Sequence, residues 1–400
     1  MADDLHLNES VSHRKLFLPA LIASYFATGP LAVVMTLFLI DMGKTFHVEV
    51  GVMGQVNTAA SITAVAFGLL MGFLSVRFRH KPLLLFGLLC MSISALGCFL
   101  APDFTIMLMS YALSGIGLAM VLPMTITLVG EHFALEKRAS AVGWIIAGGS
   151  LAYVIGGPIA ALVGGLGGWR FGVLWFVLPI SLVSLLLAFF EVPSGSQSNQ
   201  PTTRSETYLG GFKGIFSNRS ATACLVGDTL RSAAFAAVVV YAASFVRQRF
   251  GASTDLASMV LLGGALFYAL GSIITGRIVN RTGRKFSAVW TVLLAGVFTI
   301  SYAYVHSLGL SLALICVASW FFGMSASACN SLSLEQVPKF RGTMMSLDSA
   351  AINLGSAFGT TLGGLVLLSY GYEGMGIVLG IAGVVGAMVL YFLSKDPIRT

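Results

Sequence analysis

Twelve stretches of this 400-residue chain are each long and apolar enough to cross a lipid bilayer, and no other feature constrains the fold as tightly. A crossing helix needs about 20 mostly apolar residues, because the hydrocarbon core is about 30 Å thick. No water reaches that core, so each backbone N–H must be bonded within its own segment, which a continuous helix achieves. The first six stretches run at about 17–40, 48–76, 83–100, 105–129, 139–166 and 171–190. The second six run at about 221–245, 256–278, 286–306, 310–334, 343–370 and 374–393. Only 10% of the residues are charged, while 56% are apolar or aromatic. Soluble chains carry about 25% charged residues. That deficit, spread along the whole length, excludes a cytosolic enzyme, a disordered chain and a nucleic-acid binder.

Composition changes once, between Glu191 and Arg219, where Ser, Gln, Asn, Pro and Thr replace the apolar runs. This reads as a hydrated linker between two domains. The expected organisation is a tail at 1–16, a six-helix bundle at 17–190, a linker at 191–219, a second six-helix bundle at 220–394 and a short tail at 395–400. The polar first sixteen residues and the full-length apolar run that follows read as an uncleaved first helix. Placing both termini and the linker on the inner side puts 18 of the 23 Lys and Arg residues there and four outside: Lys44, Arg170, Arg247 and Arg249. The positive-inside rule supports that orientation, with the chain in the cell membrane. The net charge of +7 then reflects topology, with no acidic partner required.

Cys90, Cys98, Cys224, Cys316 and Cys329 lie in apolar stretches without CxxC or Cys/His spacing, so neither disulfides nor a metal site is indicated. No Gly-x-x-x-x-Gly-Lys-Ser/Thr loop is present to bind ATP, Glu131-His132 lacks the second histidine of a zinc helix, and Gly115-Ile-Gly117 falls within a span. No cofactor and no enzymatic activity are expected.

The two halves repeat. Gly72 through Lys81 follow the second stretch and Gly276 through Lys285 the eighth, with glycines and arginines 204 residues apart. The same spacing relates Glu131 to Glu335. Two parallel six-helix copies are one of the standard constructions of secondary transporters, with the substrate site at their interface. The loop built from Gly72, Arg77 and Arg79, and its partner built from Gly276, Asn280, Arg281, Gly283 and Arg284, resemble the signature of the major facilitator superfamily. Gly157-Pro158 in the fifth stretch and Gly168-Trp169-Arg170 before the sixth are similar to its twelve-span drug:proton antiporter branch. The resemblance covers residues 14 to 395. It implies an all-α membrane protein of twelve helices in two parallel-repeat bundles that alternate about a central cavity, with the basic loops as inner-side gates. Departures stand beside the matches. Val76 and Asn280 occupy positions where the family carries carboxylates, Arg79 replaces a glycine, Tyr111 stands where a coupling arginine is expected, and Ala161 replaces a later glycine of the antiporter pattern.

A charge at a helix centre costs about 2.5–3.5 kcal/mol on insertion scales, so each is a functional candidate. Asp228 and Arg231 in the seventh stretch and Asp348 in the eleventh are the three that qualify. A spacing of three puts Asp228 and Arg231 on one helix face, expected to border the cavity. Two readings are open: a neutralising pair that anchors the helix, or a working pair in which Arg231 meets an anionic group and Asp228 takes up a cation or a proton. Asp348 is either a partner for Arg77 or Arg79 when the inner side closes, or a partly hydrated helix-end residue; it is also a candidate for proton coupling. Tyr25, Thr28, Met120, Met124, Phe235, Tyr268 and Asn330 are further cavity candidates, on helices that line the cavity in the family, although core packing explains each one singly. Met and aromatic walls suit amphipathic compounds better than sugars.

The function expected is secondary active transport by alternating access, with proton-coupled efflux of small amphipathic or drug-like compounds. A carrier of an anionic metabolite anchored by Arg231 is the alternative, and a non-transporting sensor the third. The partners expected are a small-molecule substrate, protons and the lipid bilayer, for a monomer that binds no nucleic acid.

Overall fold

The computed structural model describes residues 16–133, 135–193 and 204–396. Among these, eleven helices are long and apolar enough to cross a bilayer. The last runs Pro338–Leu393, 56 residues, which as one straight helix would be about 84 Å long. It is two helices joined at Gly371, whose φ of 66° and ψ of −168° leave helical space. Only a residue without a Cβ adopts that backbone freely. Twelve spans therefore fit the chain. The first is broken too: its helix stops at Phe26 and resumes at Pro30, where a proline's missing N–H costs nothing in a first turn. Leu162, Leu166 and Ile273 are each more than 70% exposed, as a lipid-facing surface requires and a water-facing one would not tolerate.

The chain divides into two compact units, one of residues 1–35 and 66–200, the other of 36–65 and 201–400. Residues 36–65, which sequence groups with the amino-terminal bundle, thus pack with the carboxyl-terminal one. The core of the first unit joins Phe17 and Leu21 to Leu84 and Leu88 of the third span and Met120, Met124 and Leu128 of the fourth.

In the second unit the seventh span (Arg219–Phe250) lies against the eleventh, with bare backbone at the crossing. A Cβ on Gly355 would strike the Thr229 carbonyl, and one on Gly359 the Ala233 carbonyl. Small residues that admit such close approach are the usual means of seating helices in lipid. Residues 36–65 join this unit through Thr58, whose hydroxyl meets those of Thr360 at 2.8 Å and Thr361 at 3.0 Å. Arg247 grips Asp41 with two hydrogen bonds of 2.6 and 3.1 Å.

The expected hydrated linker is only partly that. Arg204–Ser217 is a helix, with Ile215 fully buried and Phe212 packed against the same core. A polar average concealed an apolar face. Asn218 then caps the seventh span by accepting from the Ser220 and Ala221 N–H groups. The expected tail at 1–16 lies, except for Leu16, outside the described residues.

Candidate functional site

The seventh span carries Asp228 and Arg231 three residues apart, and the fold realises the pairing that this spacing allows. Arg231 Nε donates to Asp228 Oδ1 at 2.5 Å, and Arg231 Nη2 donates to Ser232 Oγ at 3.3 Å. Asp228 is completely buried and Arg231 is 3% exposed. Both side chains point into the second unit and away from lipid. Gly355 and Gly359 bring the eleventh span against the neighbouring Thr229, Ser232 and Ala233 of the seventh.

Asp348 completes the group. It is 1% exposed, accepts from Ser333 Oγ of the tenth span at 3.1 Å, and stands close enough to Asp228 for the two charges to interact. Asp348 is thus a buried residue bonded to the tenth span, not a partly hydrated one. The eleventh span carries it into the unit's interior, near a second carboxyl. Cys224, Cys329 and Tyr268 stand close enough to feel the charges of this group. The Oδ2 atoms of Asp228 and Asp348 are both buried without a hydrogen-bond partner.

One turn from Arg231, Phe235 stacks on Tyr268 at 5.0 Å between ring centroids and meets Phe322 at 5.0 Å. Two cavity candidates, Phe235 and Tyr268, are therefore adjacent to the charged group. Others are not. Met120 and Met124 are buried in the core of the first unit, where packing alone accounts for them. Thr28 turns its hydroxyl back onto the Tyr25 carbonyl at 2.7 Å. The half-buried Tyr25 ring lies where a Cβ on Gly149 would be, and Asn330 is exposed. Gly157 is buried and Pro158 lies inside the continuous helix Leu135–Gly167.

The two basic loops are built alike. Gly72 and Gly276 lie within helices, Arg77, Arg79 and Arg281 are exposed, and the side chains of Val76 and Asn280 lie outside the described residues. His80 Nδ1 meets Glu131 at 2.6 Å, and 204 residues on, Arg284 lies 3.5 Å from Glu335. Glu335 also holds Arg341 at 2.6 Å. Lys81 Nζ donates to the Phe189 carbonyl at 2.8 Å, and its counterpart Lys285 to that of Ser394 at 2.7 Å. Gly283 takes a φ of 96°, whereas Arg79 at the matching place takes −63°. The first loop loses its glycine without strain because its backbone does not enter the left-handed region.

Sequence reasoning missed Ser333 and the Asp41–Arg247 pair. Ser333 looked like one more small residue in a span. Asp41 sits just past an apolar run, where nothing in the local pattern marks a partner 206 residues away.

A groove of about 770 Å³ opens in the second unit, lined by Lys44, His47, Glu49, Gln248, Leu368 and Tyr372 among others. None of the sequence candidates lines it. Among the described residues no group of His, Cys, Asp or Glu is arranged to hold a metal ion.

Comparison with known proteins fits the architecture. The chain is 23% identical over 381 residues to the uncharacterized MFS-type transporter YwfA of Bacillus subtilis, covering 94% of this chain and 91% of that one. It is 24% identical to a probable sugar efflux transporter of Helicobacter pylori, covering 89% of each, and 22% identical to multidrug resistance protein 2 of Bacillus subtilis, covering 90% of each. The crystal structure of a D-xylose-proton symporter superposes with a TM-score of 0.78 at 18% identity, over 96% of this chain and 98% of that one. The family model of the Major Facilitator Superfamily matches residues 18–246 and 225–400. With twelve fitting spans, two matched repeats and that correspondence across both halves, the chain belongs to the major facilitator superfamily of multi-pass membrane transporters.

Proposed function

We propose that this transporter exports small amphipathic or drug-like compounds in exchange for protons, by alternating access, as a monomer in the cell membrane with both termini cytoplasmic. The observation that carries the reading is the buried trio of Asp228, Arg231 and Asp348. Carboxyl groups set deep in a span are costly, and a group able to gain and lose a proton there supplies what coupling to a proton gradient needs. No sequence motif for ATP is available to drive transport instead. Phe235, Tyr268 and Phe322 supply an apolar aromatic wall one turn from the charges, suited to a bulky, weakly polar substrate. A multidrug resistance protein among the relatives agrees with that class. The alternative of an anionic metabolite held by Arg231 is less well supported, because Nε and Nη2 are already engaged by Asp228 and Ser232.

Reconstitution into liposomes tests the reading. An imposed pH gradient is expected to drive uptake of lipophilic cationic dyes into vesicles acidic inside, with proton release from the lumen. Dye flux that ignores the gradient, or a gradient that drives only anionic substrates, would overturn it.

A further inference from the structure

Asp228 and Asp348 reach the same point from different spans, and each leaves one oxygen unaccounted for. Asp228 Oδ1 is taken by Arg231 Nε, and Asp348 Oδ1 by the Ser333 hydroxyl. Both Oδ2 atoms are buried and receive no donor. The two carboxyls stand close enough for their charges to interact. The other ionisable groups facing them are Arg231 and Tyr268, with the thiols of Cys224 and Cys329. Among these, Arg231 is the one cation.

Charge counting then decides the state of the group. With every member ionised, two carboxylates and one guanidinium carry a net negative charge where no member is more than 3% exposed. Two adjacent carboxylates in a medium of low dielectric repel strongly, and one arginine compensates only one of them. A single proton lying between the two Oδ2 atoms removes the repulsion, supplies both missing hydrogen bonds and leaves the cluster neutral. Paired aspartates that share one proton follow the same logic in aspartic proteases.

We infer that Asp228 and Asp348 form one shared-proton site, which holds a single proton in this closed arrangement and releases it when the seventh and eleventh spans part. The site deepens the coupling reading above by fixing its stoichiometry at one proton per transport cycle. Arg231 serves as a positioning residue: it holds Asp228 through Oδ1 and leaves Oδ2 to the shared proton. Ser333 does the same for Asp348 from the other side. Opening the helix contact separates the oxygens, and neither carboxyl alone retains the proton once water and Arg231 can stabilise its ionised form.

Infrared difference spectroscopy of the full chain in liposomes, recorded in H2O and D2O, tests the site without relying on transport. The wild type is expected to show a protonated-carboxyl stretch that shifts on deuteration. That band should vanish in Asp348→Asn, because the amide N–H can donate to Asp228 Oδ2 in the proton's place. It should vanish equally in Asp228→Asn, where Asp348 inherits Arg231 as counter-ion. Asp348→Asn keeps the shape of the side chain, so the test stands even where Asp228→Asn fails to fold. A wild type without such a band, or a band that survives in Asp348→Asn, would overturn the shared site. Loss of the band in Asp348→Asn while transport proves independent of the pH gradient would uphold the site and overturn only the coupling reading. A reversal-potential measurement giving two protons per substrate would overturn the stoichiometry and with it the shared proton.

Discussion

The helix crossings that begin each half share a scaffold and differ in chemistry. In the first unit Gly29 and Gly149 let the first span press on the fifth, against Ala152 and the Tyr25 ring; in the second, Gly355 and Gly359 let the seventh press on the eleventh. At the 204-residue spacing, Asp228 and Arg231 correspond to Ser24 and Ala27. Ser24 is buried and spends its hydroxyl on its own helix, donating to Ala20 O at 2.7 Å. Neither the first span, Phe17–Leu37, nor the fifth, Ser140–Gly167, contains an Asp, Glu, Lys, Arg or His. The duplicated backbone thus gives the same close crossing twice, while the ionisable groups occur in one copy. Tight helix packing in lipid needs only small residues, so the charges in the second crossing are not a requirement of the fold.

Substitutions can break that contrast, the largest effects first. Arg231→Ala leaves Asp228 and Asp348 buried without a cation, and removing one partner of a buried pair costs about 3–5 kcal/mol. Thermal unfolding in detergent should show a fall in Tm of many degrees and flux assays a complete loss of transport. The double variant Asp228→Asn with Arg231→Met should recover most of the stability and none of the gradient-driven flux; recovered flux would mean that the charges are only an anchor. Conversely, Ala27→Arg puts a lone charge in the uncharged crossing and should cost about 2.5–3.5 kcal/mol. Adding Ser24→Asp should restore part of that loss, measured by the same unfolding assay, without creating a second proton site.

Gly355→Leu should disrupt the seventh–eleventh crossing, since any side chain there meets the Thr229 carbonyl, whereas Gly276→Leu, with open space around its Cα, should leave the yield of folded protein unchanged. Asp41→Asn removes a partly exposed pair with Arg247, and a loss of about 1 kcal/mol is expected in unfolding.

The smallest effect sharpens a second contrast, between the His80–Glu131 and Arg284–Glu335 pairs. An imidazole is charged at acidic pH and loses its charge near neutrality, while a guanidinium stays charged throughout. The first pair therefore contributes at low pH and fades as pH rises; the second does not change. His80→Arg should flatten the dependence of transport on the pH of one membrane face by a few-fold at most, with flux measured as each face is varied in turn. Glu131→Gln should flatten it equally if the pair is its source.

Much of the architecture was legible in the chain. Hydropathy marked twelve spans, a residue spacing exposed the repeat, and the interval of three between Asp228 and Arg231 foretold their ion pair. These are properties of contiguous segments, in which helix geometry alone fixes who neighbours whom. The linker helix at Arg204–Ser217 was missed because only its average polarity was read, while Ile215 and Phe212 form a narrow apolar face.

Tertiary structure decided the rest. That Asp348 comes near enough to feel the charge of Asp228, that Ser333 reaches across from the tenth span, and that residues 36–65 pack with the second unit through Asp41 and Thr58 all depend on contacts between segments far apart in the chain. Sequence showed which residues lipid would make costly. Which of them came to share a site depended on where glycines let two helices touch, and local periodicity carries no record of that.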